Sequence, residues 1–549
     1  MKTRTFFRAW VAICAIASAH ANTLTVMNLN DTGADSLRIC ILSSNPGDKI
    51  VFASNVKGIL LLSSSITINH ALTITGPGPA NLTVDGGGVD RVFVTAGNPI
   101  FISGMTITHG MVTGSDGPDA TSPGQAGGSG GDAMGGAVAD FSGFDILTFS
   151  NCWFVGNTVR GGHGGRGASN PAGAGLTTGV GGPGGDAHGG AIFSLNFAAF
   201  INCTFSGNRA IGGQGGDGGD NLNPVVAVAG GTGGGGGGGN GGAVDVTTLG
   251  ELKATNSTFS GNIAMGGTGG NGGLGQLGPG GTGGDGGLGL AGATLISGAH
   301  RILFCTIVSN SAFAGPGGSD GTGVPPGANG AVGEGKGGGI VGYTFGGCPG
   351  PVHLGNTILA DNYADTERSN FWCNITDEGY NFIGSDDGPC PWGPTTKTGT
   401  ILNPIHPQLG PLLQNGGGLP THAPLNGSPV VDWGSTFGAP PGSFTDERRA
   451  PRPFGLPAFG SSGDGSDIGA VELGSTPLGG GIGGGGTNLV LSWPAWYGDF
   501  VLQSATSLTA SNAWILVPGT PDVVADQFQL IVTNISTVPQ MFYRLMRSY

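Results

Sequence analysis

A few charged side chains in this sequence are of the types that act on polysaccharides. Carboxylates about 5–10 Å apart hydrolyse glycosidic bonds, and an outward Lys or Arg beside carboxylates that hold calcium can act as the base of a lyase. The candidate residues are Asp140, Asp145, Asp245 and Glu251, with Lys253, Arg209 and Arg301 as bases. Neither set shares one position of the sequence repeat described below. We therefore expect both sets to lie scattered on a solvated surface.

The densest group of charges lies near the end of the chain. Its members are Asp432, Asp446, Glu447, Arg448, Arg449, Arg452, Asp467 and Glu472. An active site is one interpretation of this group. The interpretation we favour is structural, because the group falls in the segment that closes the repeats, where Arg–carboxylate pairs can satisfy buried polar groups at the end of a solenoid.

No pattern predicts a cofactor or a metal. The nine histidines show no HExxH spacing, the glycine runs lack the GK[ST] of a P-loop, and the cysteines do not match a zinc site. The GGDGG turns at Asp217 and Asp285 are similar to calcium-binding nonapeptide repeats, but the full pattern is not kept in tandem. We expect no cofactor, and the sequence favours a protein that is not an enzyme.

The elements that carry these side chains follow a repeat. GGAVADFSGFDILTFSNCWFVGN at Gly135–Asn157 returns at Gly189–Asn208 and Gly241–Asn262, with weaker copies at Gly292–Asn310 and Gly338–Asn362. The closing asparagines are 51, 54, 48 and 52 residues apart. Each copy holds short apolar runs bounded by Gly, Ser and Asn, which is typical of strands. Stacked copies predict an all-β chain forming a right-handed parallel β-helix.

Three kinds of residue recur at fixed positions of the repeat. We expect the apolar ones to stack in the core, namely Phe154, Phe205 and Phe259 with Ile307 and Leu359. We expect the closing asparagines to sit at a sharp, left-handed turn and to bond between coils as a ladder, namely Asn157, Asn208, Asn262, Asn310 and Asn362. A ligand strip is the less favoured interpretation of that row. Cys152, Cys203 and Cys305, with Ser257, are interpreted as small buried fillers.

Glycine-rich inserts separate the repeats. They span 114–134, 161–188, 212–240, 266–291 and 315–336, and 118 of the 549 residues are Gly. Because the inserts share one position of the repeat, all five should emerge on one edge of the β-helix. Two interpretations stay open: a flexible edge, or extended polyproline-II-like segments that exchange backbone hydrogen bonds.

The rest of the chain divides by composition. Residues 1–21 are typical of a secretory signal peptide, and 22–113 form a cap, with a helix at Ser36–Ser43 after an Asp35 N-cap, and the first coils. Residues 114–364 hold the repeats, 365–474 end the β-helix, 475–487 are a Gly-rich linker, and 488–549 form a small β-sandwich-like module. In the exported chain we expect Cys373 to pair with Cys390, with Cys348 as the alternative partner. No segment after the signal is long and apolar enough to span a membrane.

Charge excludes some partners. The formal net charge is −14 at pH 7, with 34 acidic and 20 basic residues. Nucleic-acid binding requires a basic footprint, and an acidic chain is not held to an anionic membrane surface by charge. The sequence therefore predicts neither partner.

Parts of the chain resemble a known family. The sequences ISGMTITHG at Ile102–Gly110, NPIHPQLGPLLQNGGGLPTHAPLNGSPVVDWG at Asn403–Gly434, TDERRAPRP at Thr445–Pro453 and SDIGAVE at Ser466–Glu472 resemble secreted bacterial β-helix proteins of the choice-of-anchor Q type. Asn30–Phe52 is similar to that family's CSLREA-type opening segment. The resemblance covers roughly Asn30–Glu472. It implies export and surface association, with the last module as an anchor or sorting unit, and supplies no catalytic residues.

These observations favour an exported, non-enzymatic surface or extracellular protein that acts in adhesion or in binding polysaccharide or extracellular matrix. One alternative is a polysaccharide lyase or glycoside hydrolase on the same fold. A second is a structural spacer that self-associates through its glycine-rich edge.

Overall fold

Residues 21–547 form a parallel β-helix followed by a small β-module. The computed structural model describes these residues except 97–98, 142–145, 172–176, 248–249, 299, 343–351, 367–368, 387, 389, 426, 440–443, 456–462, 474–478, 483–487, 495–499, 508–513, 525–526 and 534–540. Strands of successive coils pair in parallel and in register. The prediction of an all-β parallel solenoid is confirmed.

Four parallel sheets run along the β-helix. The first contains Thr23–Val26, Lys49–Phe52, Gly58–Leu61, Leu72–Thr75, Leu82–Asp85, Ile100–Thr108, Ile146–Val155, Phe197–Ile201, Thr204–Ser206, Glu251–Thr255, Thr258–Ser260, His300–Leu303, Thr306–Val308, Val352–Gly355, Ile358–Ala360, Ile375–Asp377, Phe382–Asp386 and Lys397–Thr400. The second contains Ile66–Ile68, Phe93–Thr95, Val138–Asp140, Ile192–Ser194, Val244–Val246, Thr294–Ile296, Ile340–Gly342 and Phe371–Trp372. The third contains Met111–Thr113, Thr158–Arg160, Arg209–Ile211, Ile263–Met265, Ser311–Phe313 and Tyr363–Ala364. The fourth lies at the base of the inserts and contains Ala133–Met134, Ala187–His188, Gly239–Asn240, Gly289–Leu290 and Gly335–Lys336.

The core is built from side chains stacked coil on coil. The Phe154 and Phe205 rings lie 4.8 Å apart and the Phe205 and Phe259 rings 4.7 Å apart, with 3° between the planes of each pair. Ile307 and Leu359 continue the column in register. All five side chains are buried. Burying each contributes about 1.5–3 kcal/mol.

The one helix of the described chain, Leu37–Ser43, turns Leu37, Cys40 and Ile41 into the first coils. The helix N-cap is Ser36, whose side chain accepts the Ile39 N–H, and not Asp35 as predicted. Asp35 has a φ of +58° and so lies in a turn. The helix itself falls where the sequence predicted it.

The glycine-rich inserts form an ordered ridge. Each insert runs outward and back, which places its segments in two layers. Within a layer, Gly215 N–H donates to Thr268 O at 2.9 Å; between layers, Gly216 N–H donates to Gly182 O and Gly234 N–H to Gly216 O, both at 2.8 Å. The bonds recur every third residue, which is the period of a polyproline-II helix. Of the two interpretations left open, the hydrogen-bonded one describes the ridge.

Two further units follow the coils. A closing segment, residues 403–473, contains the antiparallel hairpin Leu409–Gln414 and Pro420–Pro424. The C-terminal module has a four-stranded sheet of Gly479–Ile482, Leu489–Pro494, Gln527–Val532 and Asp522–Val524, and a three-stranded sheet of Ile515–Leu516, Phe500–Ala505 and Phe542–Arg547. Gly479–Ile482 falls in the predicted linker, but it pairs with Leu489–Ser492. That part of the linker is therefore a strand and not a flexible spacer.

Candidate functional site

The first sheet is divided lengthwise into two halves. In each repeat its chain passes through a residue with positive φ between an upstream and a downstream strand, and the residues at that position are Asn151, Asn202, Asn256, Phe304 and Asn356. We call the upstream strands, from the Ile146 end of Ile146–Val155 to Ile375–Asp377, the open half. We call the downstream strands, from Thr204–Ser206 to Phe382–Asp386, the covered half.

The closing segment packs on the covered half. Glu447 is fully buried, and its carboxylate accepts hydrogen bonds from Thr204 at 2.8 Å and from Thr258 at 2.5 Å. Ala470 N–H donates to the Thr306 hydroxyl at 3.0 Å. Three successive coils are therefore held by one segment, because each presents a threonine at the same outward position.

The dense charged group lies within this contact. Arg448 forms an ion pair with Asp446 at 2.7 Å, and both side chains are completely buried. Arg452 stacks over the Phe304 ring at 4.6 Å and lies 3.5 Å from the Glu472 carboxylate. The prediction that this group closes the end of the solenoid is wrong in its location. The group instead covers a lateral face, where Thr204 and Thr258 donate hydrogen bonds to the Glu447 carboxylate.

Burial changes the acidity of this group. Loss of solvent raises the pKa of Glu447 well above its usual range, although the Thr258 and Thr204 hydroxyls partly oppose the shift. Burial also raises the pKa of Glu472 to about 7, with Arg452 opposing it. Buried carboxyl groups whose oxygens are hydrogen-bonded within a filled contact can hold a fold together. They cannot reach a polysaccharide.

The open half presents a column of basic side chains to solvent. Lys253, Arg301 and His353 occupy one outward position on three successive coils, in direct register. Their side chains are 53%, 43% and 37% exposed. The prediction that Lys253 and Arg301 are scattered is therefore wrong. Coils are about 4.8 Å apart, so the column presents basic side chains at a regular spacing.

Carboxylates fix the geometry of this column. Arg301 binds Glu378 with two nitrogens: Nε lies 3.1 and 3.0 Å from the two carboxylate oxygens, and a terminal nitrogen lies 2.8 Å from one of them. His353 Nδ1 lies 3.2 Å from Glu378 Oε1, and Lys253 lies 3.0 Å from Glu251. A guanidinium held by such a fork is pre-organised and still has donors that face solvent. The column thus offers fixed donors and acceptors side by side.

Aromatic residues precede the charged residues along the same face. Phe101 occupies the same outward position as Lys253, three coils earlier, with Thr148 and Ala199 on the two coils between them. Phe197 lies in the neighbouring column, in register with Glu251. Both rings are half-buried. An exposed ring edge or face is a surface on which a sugar ring can stack.

The closing segment borders this face. The Asn256 amide donates to Thr445 O at 2.8 Å, and Ser435 N–H donates to the Asn356 side-chain oxygen at 2.8 Å. Both asparagines lie at the boundary between the two halves. The segment that fills the covered half therefore also forms one wall along the open half.

The remaining predicted candidates lie elsewhere. Asp140 is buried inside the β-helix and accepts hydrogen bonds from Thr95 at 2.8 Å and Ser194 at 2.9 Å. Asp245 is buried on the opposite side of the second sheet, against His188. Arg209 belongs to the third sheet. Asp145 lies outside the described residues.

The GGDGG aspartates serve the ridge. Asp217 accepts the backbone N–H of Asn271, and Asp285 accepts that of Ala331, both at 2.8 Å. These carboxylates therefore cap amides of the next insert. Among the described residues, no group of three His, Cys, Asp or Glu side chains is arranged to hold a metal.

The closing asparagines form a buried ladder. Each side-chain N–H donates to the next side-chain oxygen at 2.8–2.9 Å, in the order Asn157, Asn208, Asn262, Asn310 and Asn362. The left-handed residue is the one before each asparagine, such as Gly156 or Gly207, and not the asparagine itself. The prediction that the closing asparagines themselves adopt the left-handed conformation is therefore wrong by one residue. The asparagine side-chain amides instead point inward, where they form the ladder.

The cysteines of the described chain lie within or beside the core. Cys152, Cys203 and Cys305 are completely buried free thiols, and burial raises the pKa of Cys152 to about 12. Cys373 and Cys390 pack against the same hydrophobic cluster. Their predicted disulfide stays a prediction, and Cys348 lies outside the described residues.

Comparisons with known proteins add little to this geometry. No protein-family model matches the chain, and no curated protein matches it. A solved structure that matches is a rhamnogalacturonan lyase, 12% identical, with 71% of this chain and 91% of that chain covered and a TM-score of 0.21. The fold assignment rests on the strand pairings. No helix of the described chain is long and apolar enough to cross a membrane.

Proposed function

We propose that this protein binds a linear polysaccharide along the open half of its first sheet, without cleaving it. The observation that carries the proposal is the in-register column of Lys253, Arg301 and His353 beside the covered half of the same sheet. The closing segment packs on the covered half of the sheet. The open half carries fixed polar groups and two aromatic rings, and no segment of the described chain covers it.

The chemistry of the column suits sugars. Arg301 supplies N–H donors and Glu378 supplies acceptors, and their mutual ion pair holds both in place. Adjacent hydroxyls of a sugar both donate and accept, so a paired cation and anion can satisfy them. Phe101 and Phe197 add surfaces for the apolar faces of sugar rings.

The test uses the full chain and a panel of immobilised plant and bacterial polysaccharides. We expect retention on at least one, weakened about tenfold or more by Arg301→Ala, because the variant loses a charged donor to the sugar and the side chain that holds Glu378 in place. Arg166→Ala is the matched control: Arg166 forms a comparable exposed ion pair with Asp220 at 2.9 Å, but on the ridge. No retention on any member, or equal loss in both variants, would reject the proposal. The fold should tolerate either change, since exposed ion pairs contribute about 0–1 kcal/mol.

A second candidate, cleavage by a lyase, has one observation in its favour. Lys253 and Arg301 are outward basic residues, and each lies beside a carboxylate, Glu251 or Glu378. Shortened polysaccharide chains bearing a new carbon–carbon double bond, seen by ultraviolet absorbance and absent with Arg301→Ala, would establish it. Intact chains across the panel would leave binding as the function.

Location completes the proposal. The signal-like residues 1–21 and the resemblance to choice-of-anchor Q proteins support a protein that is exported and displayed at, or released from, a bacterial surface. A polysaccharide ligand or extracellular matrix is accessible there. Fractionation of cells expressing the full chain tests this: recovery in the cytoplasm at full length would contradict it.

A further inference from the structure

The glycine-rich ridge carries exposed aliphatic side chains at its outer end. The third, fourth and fifth inserts turn back at residues 221–229, 275–281 and 322–328, and we call these three turns together the ridge tip. Val225 is 81% exposed and Val324 is 76% exposed. The other exposed aliphatic side chains of the tip are those of Leu222, Val226 and Leu277. An exposed apolar patch of this kind marks an interaction site.

Hydrogen bonds join the three turns into one surface. Gln276 N–H donates to Asn221 O at 3.3 Å, and Val324 N–H donates to Gly278 O at 2.8 Å. The first insert, in contrast, turns back through the exposed polar side chains of Thr121, Ser122 and Gln125. The apolar patch therefore belongs to three adjacent inserts and is not a general property of the glycine-rich segments.

The backbone of the most exposed turn has its own hydrogen-bond partners. The Asn223 side-chain oxygen accepts the N–H groups of Val225 at 2.9 Å and Val226 at 3.2 Å, and the Asn221 side-chain amide donates to Val228 O at 2.8 Å. Both asparagines are buried. Four further tip residues have no N–H group to satisfy, namely Pro224, Pro279, Pro325 and Pro326. Water could satisfy an exposed turn without such partners, whereas an apolar phase requires them.

From these observations we propose that the ridge tip inserts into the interface of a zwitterionic lipid bilayer. The three turns contain no Asp, Glu, Lys, Arg or His, so no charge loses its solvation on insertion. The charged residues nearest to the turns along the chain are all acidic: Asp220, Asp285 and Asp320. With a net charge of −14, the protein is repelled by an anionic surface. Apolar contact, and not charge, therefore drives the binding.

A second copy of the chain matches the tip less well. A standard protein interface buries roughly 800 Å² per partner, which the exposed parts of five aliphatic side chains do not supply. A fluid bilayer needs no complementary shape, because lipid rearranges around a projecting turn.

The experiment is flotation of the full chain with phosphatidylcholine vesicles. We expect the chain to float with the vesicles, and Val225→Asp or Val324→Asp to weaken binding about tenfold or more, because a carboxylate would have to enter the apolar phase. Val332→Asp is the matched control: Val332 is 67% exposed on the fifth insert but lies outside the tip. It should change binding by less than about twofold. All three side chains are largely exposed, so the fold should tolerate each change.

A gain of binding complements these losses. Val225→Trp should strengthen binding about threefold, because Trp favours the membrane interface, and brominated acyl chains should quench the added Trp emission. Replacing one third of the lipid by phosphatidylglycerol should weaken binding at low salt.

Four results would overturn the proposal: no flotation, equal effects of Val225→Asp and Val332→Asp, tighter binding to the anionic vesicles, or self-association without lipid that Val225→Asp abolishes. Arg301→Ala should float like the unaltered chain, so this test is independent of polysaccharide binding at the first sheet.

Discussion

The β-helix body and the glycine ridge stack the same coils by opposite means. In the body, side chains fill the space between strands, as in the Phe154, Phe205 and Phe259 column with rings 4.7–4.8 Å apart. In the ridge, backbone meets backbone, and a Cβ placed on Gly216 or Gly234 would lie 1.9–2.0 Å from a carbonyl oxygen. The comparison shows that one coil spacing can be held either by apolar contact or by hydrogen bonds between bare backbones.

The hydrogen-bonded packing of the ridge ends at the first insert. Interior segments have two glycines in every three residues. The outward segment of the first insert has Ser115 and Pro118 where the second insert has Gly162 and Gly165. On Gly162 a Cβ would strike the O atom of Ser115 at 2.0 Å, but the first insert has no insert before it. Side chains at such an edge block further pairing, which argues against self-association through the edge that the first insert forms.

The sharpest test of the body is Phe205→Ala. Phe205 contacts a ring above and a ring below, so truncation leaves a cavity that the rigid stack cannot close. We expect a loss of about 3–5 kcal/mol in the free energy of unfolding, measured by denaturant titration. Phe205→Leu, which keeps most of the volume, should lose less. A loss below about 1 kcal/mol for the alanine variant would contradict the stacked core.

The corresponding test of the ridge uses two adjacent glycines. Gly234→Ala places a Cβ 2.0 Å from Gly182 O, whereas the nearest atom to a Cβ on Gly235 is 3.7 Å away. We expect Gly234→Ala to cost about 1–3 kcal/mol by forcing segments apart, and Gly235→Ala to change stability by less than about 0.5 kcal/mol. Hydrogen exchange of the insert amides should rise only in the first variant. Equal exchange in both would mean that the ridge is not packed as described.

The difference between these regions also explains what the sequence could predict. The core column and the asparagine ladder recur with the repeat, so Phe205 and Asn208 could be placed from spacing alone. The basic column was missed although its signal is present: Lys253, Arg301 and His353 each lie nine residues before a closing asparagine. The column cannot be recognised as a repeating feature of the sequence, because the residue type at this position of the repeat changes from Lys to Arg to His.

Other features could not be predicted from local sequence. The contact of Glu447 with Thr204 joins residues 243 positions apart, and no repeat links the two. Glu378, which organises the basic column, follows the last repeat and has no counterpart in earlier copies. Ridge order depends on five inserts packing together, which a single glycine run does not reveal.

The smallest expected effect lies at the junction between ridge and body. His188, at the base of the ridge, lies 2.7 Å from Asp245 of the second sheet. Burial would lower the pKa of His188, but the hydrogen bond and charge of Asp245 raise it above 6.5 overall; burial also raises the pKa of Asp245. Both groups bind protons more tightly in the folded state. The stability of the junction is therefore complete below the unfolded-state pKa values and is lost as pH rises through the folded-state values.

We expect exchange at the ridge base to quicken as pH rises above the ordinary His pKa of about 6.5, relative to the Phe205 column in the same protein. His188→Gln should remove the part of this pH dependence that the imidazole contributes, while keeping a side chain that can bond to Asp245. His163→Gln is the matched control, because His163 lies on the exposed ridge, where its ring nitrogen accepts the Gln214 N–H. If the ridge base and the core column respond equally to pH, or if both variants behave alike, the junction is not held by the His188–Asp245 pair.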